Sequence, residues 1–357
     1  MWIFIALIGQ FIGGTSALFD KLIIKKLYPN PVGYTFWLGI LGIFSFFLLP
    51  FGFHLLPPAE MTFAFFAGSV FLLGFLLYFN GLARGQASNV VILLGTFLPI
   101  STLIWSRIIL GLSLGTYHLG AFILLISGSI VLFLTEPNKF RWRIFVYVAG
   151  SAVLIGLSSA LAKYVYTASN FATGFVYIKV GGFIMALLFL LIPQFRRKIF
   201  KMPRNLVSTR LGYLANRAYA GTGSILVQFS IALGIPPIVD ALYNFQLIVV
   251  FIGGWLILKE KVRGWALVGK VIAISIIGSG ILWLGIGQYL RSNAPNLNRP
   301  MTWGVTFSQK FANQMGLEWK QAYEAILGDL GVRRIRLVAY WDDIEPERRE
   351  FNFSDLD

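Results

Sequence analysis

Apolar residues in this chain fall in runs of about 18–25, separated by short polar breaks, over most of its length. A run of that length crosses roughly 30 Å of hydrocarbon as an α-helix. The runs at 2–19, 32–55, 61–82, 86–108, 116–135, 143–165, 171–193, 211–233, 236–258 and 264–288 therefore predict ten membrane-spanning helices. The eighth is the least apolar, because Asn216, Arg217, Thr222, Ser224 and Gln228 interrupt it. A helix of that kind suits a cavity wall better than a lipid-facing surface. Met1–Leu18 has no basic segment ahead of its apolar residues, which separates it from a cleaved signal peptide and makes it the first span.

The pattern also repeats. A shift of 149 residues sets Ala83 on Ala232, Gly85 on Gly234, Gly115 on Gly264 and Gly120 on Gly269, which superposes spans four and five on nine and ten. A looser match, at a shift of about 142, sets Gly14, Ser16 and Lys21 against Gly156, Ser158 and Lys163. The repeating unit is thus five helices, and an odd number sends the second copy into the membrane from the opposite side. The expected fold class is an all-α polytopic membrane protein of two inverted five-helix repeats, 1–138 and 139–290. Such repeats hold a substrate site near the midplane and open it to each side in turn. Gly9 with Gly13 and Gly81 with Gly85 have the four-residue spacing of close helix packing. Pro99 predicts a kink in span four, turned either to a cavity or to packing.

Composition agrees with this. Of 357 residues, 57% are apolar and 13% charged, against about a quarter charged in soluble chains. Residues 1–290 carry 21 of the 30 Lys/Arg and five of the 15 Asp/Glu. Sixteen of those cations fall in the loops that follow spans one, three, five, seven and nine; the other side shows only Arg107 and Lys163, with Arg291 and Arg299 after the last span. The positive-inside rule makes the sixteen cytoplasmic and puts both termini outside. Cations confined to short loops of a membrane bundle argue against a nucleic-acid partner. The absence of cysteine excludes disulfides, thiolate metal sites and cysteine nucleophiles. His54 and His118 stand alone near span ends with no HExxH companion, and no GxxxxGK[ST] motif occurs. No metal, cofactor or ATP-driven step is expected.

Ionisable groups within spans are costly and by default functional. Away from the loops these are Lys179 in span seven, Arg217 in span eight, Asp240 in span nine and Lys270 in span ten. On a continuous helix Asp240, Tyr243, Asn244 and Leu247 share one face, as do Asn216, Tyr219 and Gly223 on span eight. The candidate substrate-binding set is therefore Asp240, Asn244, Tyr243, Arg217, Asn216, Lys179 and Gln228, with Gln246 as a further hydrogen-bonding group. Asp240, with Arg217 or Lys179 nearby, would bind a polar metabolite or carry a coupling proton; alternatively it is half of a buried structural ion pair. Three cations against one anion favour an anionic or zwitterionic solute. Asp20, Lys21 and Lys163, at equivalent helix ends, gate the cavity or simply sit at the interface.

The 5+5 arrangement resembles the EamA-type branch of the drug/metabolite transporter superfamily. So does the stretch from Pro236 to Leu284, with Leu258-Lys259-Glu260-Lys261 after span nine and Gly264-Trp265 and Gly269 opening span ten. The likeness covers about 1–290 and implies a transporter with cytoplasmic termini, the reverse of the charge count. The repeat partner of Glu260 is Gly111, so the first half departs from the pattern. The leading expectation is a secondary transporter of a small polar metabolite in the lipid bilayer of the cell membrane, with a homodimer left open.

After Tyr289 the composition changes. Residues 291–300 form a polar linker, Trp303–Ser308 alternates like a strand, Glu318–Leu330 is helical, and Arg334–Ala339 is a second strand. Trp319, Ala322, Tyr323, Ile326 and Leu330 share a helix face, so a βαβ unit is expected. Trp341-Asp342-Asp343-Ile344-Glu345-Pro346 and Phe351-Asn352-Phe353-Ser354-Asp355-Leu356-Asp357 resemble the second-strand region of TIM-barrel glycoside hydrolases. The likeness spans about 55 residues against roughly 250 for a barrel. The paired carboxylates of such enzymes come from later strands, so Asp343 and Glu345 are not catalytic candidates and no enzyme activity is expected. The break at Asp357, where the next helix begins, points to a longer parent. Two alternatives to a metabolite transporter follow: a membrane-anchored fragment of a glycoside hydrolase fusion, and a flippase of lipid-linked sugars.

Overall fold

The computed structural model describes residues 1–26, 30–85, 87–135, 142–200, 207–256, 265–293 and 304–351. They form two compact units, Met1–Ser292 and Asn293–Asp357. In the first, α1 (Trp2–Lys26) is followed by α2 (Pro31–Ile40), which tightens into a 3-10 segment at Leu41–Leu48. Then come α3 (Pro58–Arg84), α4 (Ala87–Leu110), α5 (Thr116–Thr135), α6 (Trp142–Ala168) and α7 (Phe171–Phe189). The unit closes with α8 (Pro193–Phe200), α9 (Val207–Leu233), α10 (Pro236–Ala241), α11 (Asn244–Leu256) and α12 (Trp265–Asn293).

Each predicted span has a helical counterpart, and among the described residues nine are long and apolar enough to cross a membrane. The expected eighth span is the one that differs. It forms a 27-residue helix, α9, whose polar residues keep it below the apolarity of the others, and it packs along α1.

Three local features bear on the expectations. Pro99 lies inside α4, which stays helical through it, and span nine divides into α10 and α11. There Tyr243 N–H bonds to the Asp240 carbonyl at 3.1 Å, Phe245 to Leu242 at 2.9 Å and Gln246 to Tyr243 at 2.9 Å. These successive i→i+3 bonds tighten the chain as a 3-10 turn does. Third, part of the basic loop after span seven is helical. In α8, Ile199 is buried and clusters with Val32, Phe36 and Phe189, while Arg196 and Arg197 are exposed, as in an interfacial helix. The stretch around Glu260 and the linker at 294–300 lie outside the described residues.

Glycines bring the helices together. Gly9 lies against Val227 and the Gly223 carbonyl, and Gly81 and Gly85 face Val148 and Ile144 of α6. The closest approach is α3 on α7. A Cβ on Gly68 would overlap the Ile178 carbonyl oxygen, and one on Gly181 would overlap the Phe65 backbone. Backbone thus meets backbone, as small residues allow.

The second unit pairs β1 (Val305–Phe307) with β2 (Ile335–Leu337) in parallel, Val305 opposite Ile335. Between them lie α13 (Gln309–Gln314) and α14 (Trp319–Gly328), and α15 (Trp341–Ile344) follows. This is the expected βαβ order with α13 added. Ser308 caps α13 and Glu318 caps α14 with side-chain oxygens. Trp319, Ala322, Tyr323 and Ile326 are the half-buried face of α14, with Tyr323 against Phe307. The helix ends at Gly328, so Leu330 falls outside it and is exposed.

Candidate functional site

Among the described residues, polar side chains of the spanning helices gather in three places that bear on the candidate site. The first is a seam where α1 meets α9 and α11. Asn216 accepts from the Ser16 hydroxyl at 3.0 Å, and Arg217 donates to the same hydroxyl at 3.4 Å while lying 5.2 Å from the Tyr34 ring centroid. Thr15 and Tyr219 share a 2.9 Å hydrogen bond, and Gln246 donates to Gln10 at 2.6 Å. Buried polar groups require such partners, and here short polar residues on α1 supply them across the α1–α9–α11 contact.

The second place is Asp240. Its carboxylate is buried on α10 and accepts from Thr102 of α4 at 2.6 Å and from Ser159 of α6. No Lys or Arg among the described residues lies within ion-pair distance of it. The expected company of Arg217 or Lys179 is therefore corrected, as is the structural ion pair. Hydroxyls, not cations, hold this carboxylate.

Asp240, Tyr243 and Asn244, expected on one face of span nine, meet different partners. Asn244 is fully buried and donates to the Leu125 carbonyl of α5 at 2.9 Å, leaving its Oδ1 without a hydrogen-bond partner. Tyr243 hydrogen-bonds Tyr78 of α3. Three neighbours in sequence thus turn to α4 with α6, to α3 and to α5.

The third place is a pocket between the α2 and 3-10 segment, α3, α7 and α9. Lys179, Gln228, Phe71, Leu38 and the glycines 39, 42, 68 and 182 line it. The Lys179 ammonium lies 5.0 Å from the ring centroids of both Phe71 and Phe175. Gln228 accepts the Tyr166 hydroxyl at 3.1 Å. Lys163 faces elsewhere, its ammonium donating to the Ala232 carbonyl at 2.7 Å.

Of the seven candidate residues, the structure brings Lys179 together with Gln228, and Asn216 together with Arg217; Asp240, Tyr243 and Asn244 each have other partners. Thr102, Ser159, Ser16 and Tyr34 were missed. Ser16 stood out only as the repeat partner of Ser158, and the sequence signal of the others is a hydroxyl within an apolar run, which serines and threonines bonded to their own helix share. His54 lies beside Thr173 at 3.2 Å, where loop and α7 meet. Among the described residues no group of His, Cys, Asp or Glu is arranged to hold a metal.

Residues 1–134 match the model of the EamA-like transporter family. This is the half whose loop lacks the acidic counterpart of Glu260. No curated protein matches the chain. A crystal structure described only as that of a protein is 15% identical, with a TM-score of 0.60 over 83% of this chain and 98% of its own. At that identity the likeness is one of fold. The comparisons lend no support to the glycoside hydrolase resemblance of the tail, whose structure supplies one βαβ unit alone.

Proposed function

We propose that this chain is a secondary transporter moving a small polar metabolite by alternating access between two inverted five-helix repeats, residues 1–138 and 139–290. The observation that carries this reading is the reciprocal packing of the halves. α1 packs on α9, and α6, which the sequence repeat sets against α1, packs on α3, the counterpart of α9. Likewise α4 packs on α6, and α11, its counterpart, packs on α1. Each half closes on helices of the other, an arrangement suited to rocking about a shared centre. The family match over residues 1–134 supports the same reading.

In this proposal Lys179 and Gln228 front the solute, Asn216 and Arg217 form the polar seam of the moving α1–α9 contact, and Asp240 carries the coupling proton beside the broken ninth span. Tyr243 and Asn244 anchor that break to α3 and α5. Proteoliposomes containing the full chain should show saturable counterflow with at least one member of a panel of amino acids, short carboxylates and sugar phosphates. Asp240→Asn should retain counterflow and lose accumulation driven by a proton gradient. Exchange of lipid-linked sugars alone would replace the metabolite reading with the flippase, and exchange of nothing in either panel would remove transport altogether. With the basic loops cytoplasmic, an N-terminal tag is labelled in intact cells; a protected tag reverses the orientation.

A further inference from the structure

Lys179 differs from every hydrogen-bonded group described above in what surrounds it. It sits in the middle of α7, half-buried, and its only partners among the described residues are the faces of Phe71 and Phe175. Aromatic faces attract an ammonium without neutralising it. A carboxylate partner would cancel the charge, and a backbone carbonyl, such as Lys163 has, would occupy its donors. The rings do neither, so the ammonium keeps both its charge and its hydrogens.

Gln228 is the other polar side chain on the pocket wall. Its carboxamide oxygen is taken by the Tyr166 hydroxyl, which leaves its NH2 as the group free to bind. Both polar side chains lining the pocket are thus donors, one of them charged. The remaining wall is apolar side chain and glycine, with no Asp or Glu. Side chains that offer donors, one of them charged, with no acidic group beside them favour an anion.

We infer that this pocket binds the anionic group, carboxylate or phosphate, of the transported solute, with the Lys179 ammonium as counter-charge and the Gln228 amide as second donor. The inference rests on the transporter reading for calling the ligand a solute; the binding itself does not depend on transport. Gly42 keeps the wall open beside the lysine, since a Cβ there would lie 3.2 Å from the Lys179 carbonyl oxygen. A bulkier residue would crowd the helix that carries the charge.

The test is a lysine footprint on the full chain in lipid nanodiscs. A small membrane-permeant N-hydroxysuccinimide ester acetylates accessible amines, and peptide mass spectrometry reads the rate at Lys179, with Lys163 as the internal control. The probes are potassium benzoate, inorganic phosphate and choline chloride, each against potassium chloride at equal ionic strength. An anion present at ten times its Kd should slow acetylation of Lys179 about tenfold, leave Lys163 unchanged, and lose most of that protection in Gln228→Leu. Protection by benzoate identifies a carboxylate site, and protection by phosphate a phosphate site. Equal labelling of Lys179 with every anion up to saturation, or protection by choline, overturns the inference. The two readings fail separately: protection without counterflow removes the transporter and keeps the anion site, whereas counterflow without protection does the reverse.

Discussion

Asp240 and Lys179 are both ionisable residues inside spanning helices, yet their surroundings are opposites. Asp240 is enclosed by groups that complete its hydrogen bonding, Thr102 at 2.6 Å and Ser159. Lys179 is flanked by two rings at 5.0 Å and faces a pocket. The difference separates a charge bound into the contact between helices from one left available to a ligand. Removing a partner of the first should damage the fold, whereas removing the second should damage function and leave the fold intact.

The largest effect should come from the frame that creates the contrast. Gly68 lets α3 touch α7 beside the Lys179 pocket, and any Cβ there overlaps the Ile178 carbonyl. Gly68→Val should cost about 3 kcal/mol or more, at the upper end of overpacking, because backbone cannot repack as a side chain can. Gly278 of α12 has nothing within 4 Å of its would-be Cβ, so Gly278→Ala should be neutral or stabilising by up to about 1 kcal/mol. Thermal unfolding of both variants in detergent checks the pair; equal stability would mean that the α3–α7 contact is looser than described.

Next is the Asp240 cage. Thr102→Val is nearly isosteric and removes the 2.6 Å donor, so a buried carboxylate loses a hydrogen bond at a cost of about 1–3 kcal/mol. Adding Asp240→Leu removes the group left unsatisfied and should recover part of the loss, as when a buried polar partnership is replaced whole. A double-mutant cycle measures the coupling. Strict additivity would show that the two residues act independently and that the Thr102 hydroxyl does not hold Asp240.

Much of the frame is legible in the sequence, because hydropathy over 18 residues and the period of an apolar face are local sums. The ten runs each became helix, and Trp319, Ala322, Tyr323 and Ile326 became the covered face of α14. The candidate site was legible only as a list of residues. Thr102 and Asp240 are 138 residues apart, and nothing in either run marks them as partners. Periodicity also assumes one unbroken helix. Nothing in the run marked span nine as one that would divide, where Asn244 bonds to the Leu125 carbonyl and i→i+3 bonds tighten the backbone.

Lys179→Met should have a smaller effect on the fold. Loss of two ring contacts costs about 0.5–2 kcal/mol, but a cation within a spanning segment is itself unfavourable by about 2.5–3.5 kcal/mol. The unfolding midpoint should therefore hold or rise, while counterflow is lost and Lys179→Arg, which keeps the charge, retains part of it. A fall of about 3 kcal/mol or more, typical of a broken buried pair, would put Lys179 in the same class as Asp240 and end the comparison.

The smallest effect belongs to the water-facing ion pair of Lys310 with Asp342 in the second unit. The hydrogen bond from Lys310 holds the Asp342 carboxyl below the usual carboxylate range. Because the folded value is depressed, whatever the pair contributes is present above the unfolded carboxylate value, near 3.9, and fades as pH falls through the folded one. The pair is solvent-exposed and screened, so its contribution to stability should be close to nothing. Lys310→Met should return the titration of Asp342, followed by carboxyl carbon NMR on aspartate-labelled protein, toward the ordinary value without moving the unfolding midpoint. A midpoint that dropped with it would show that even an exposed charge in this chain is bound into the fold. Availability to a partner could then no longer be judged from a missing counter-charge, at Lys179 or elsewhere.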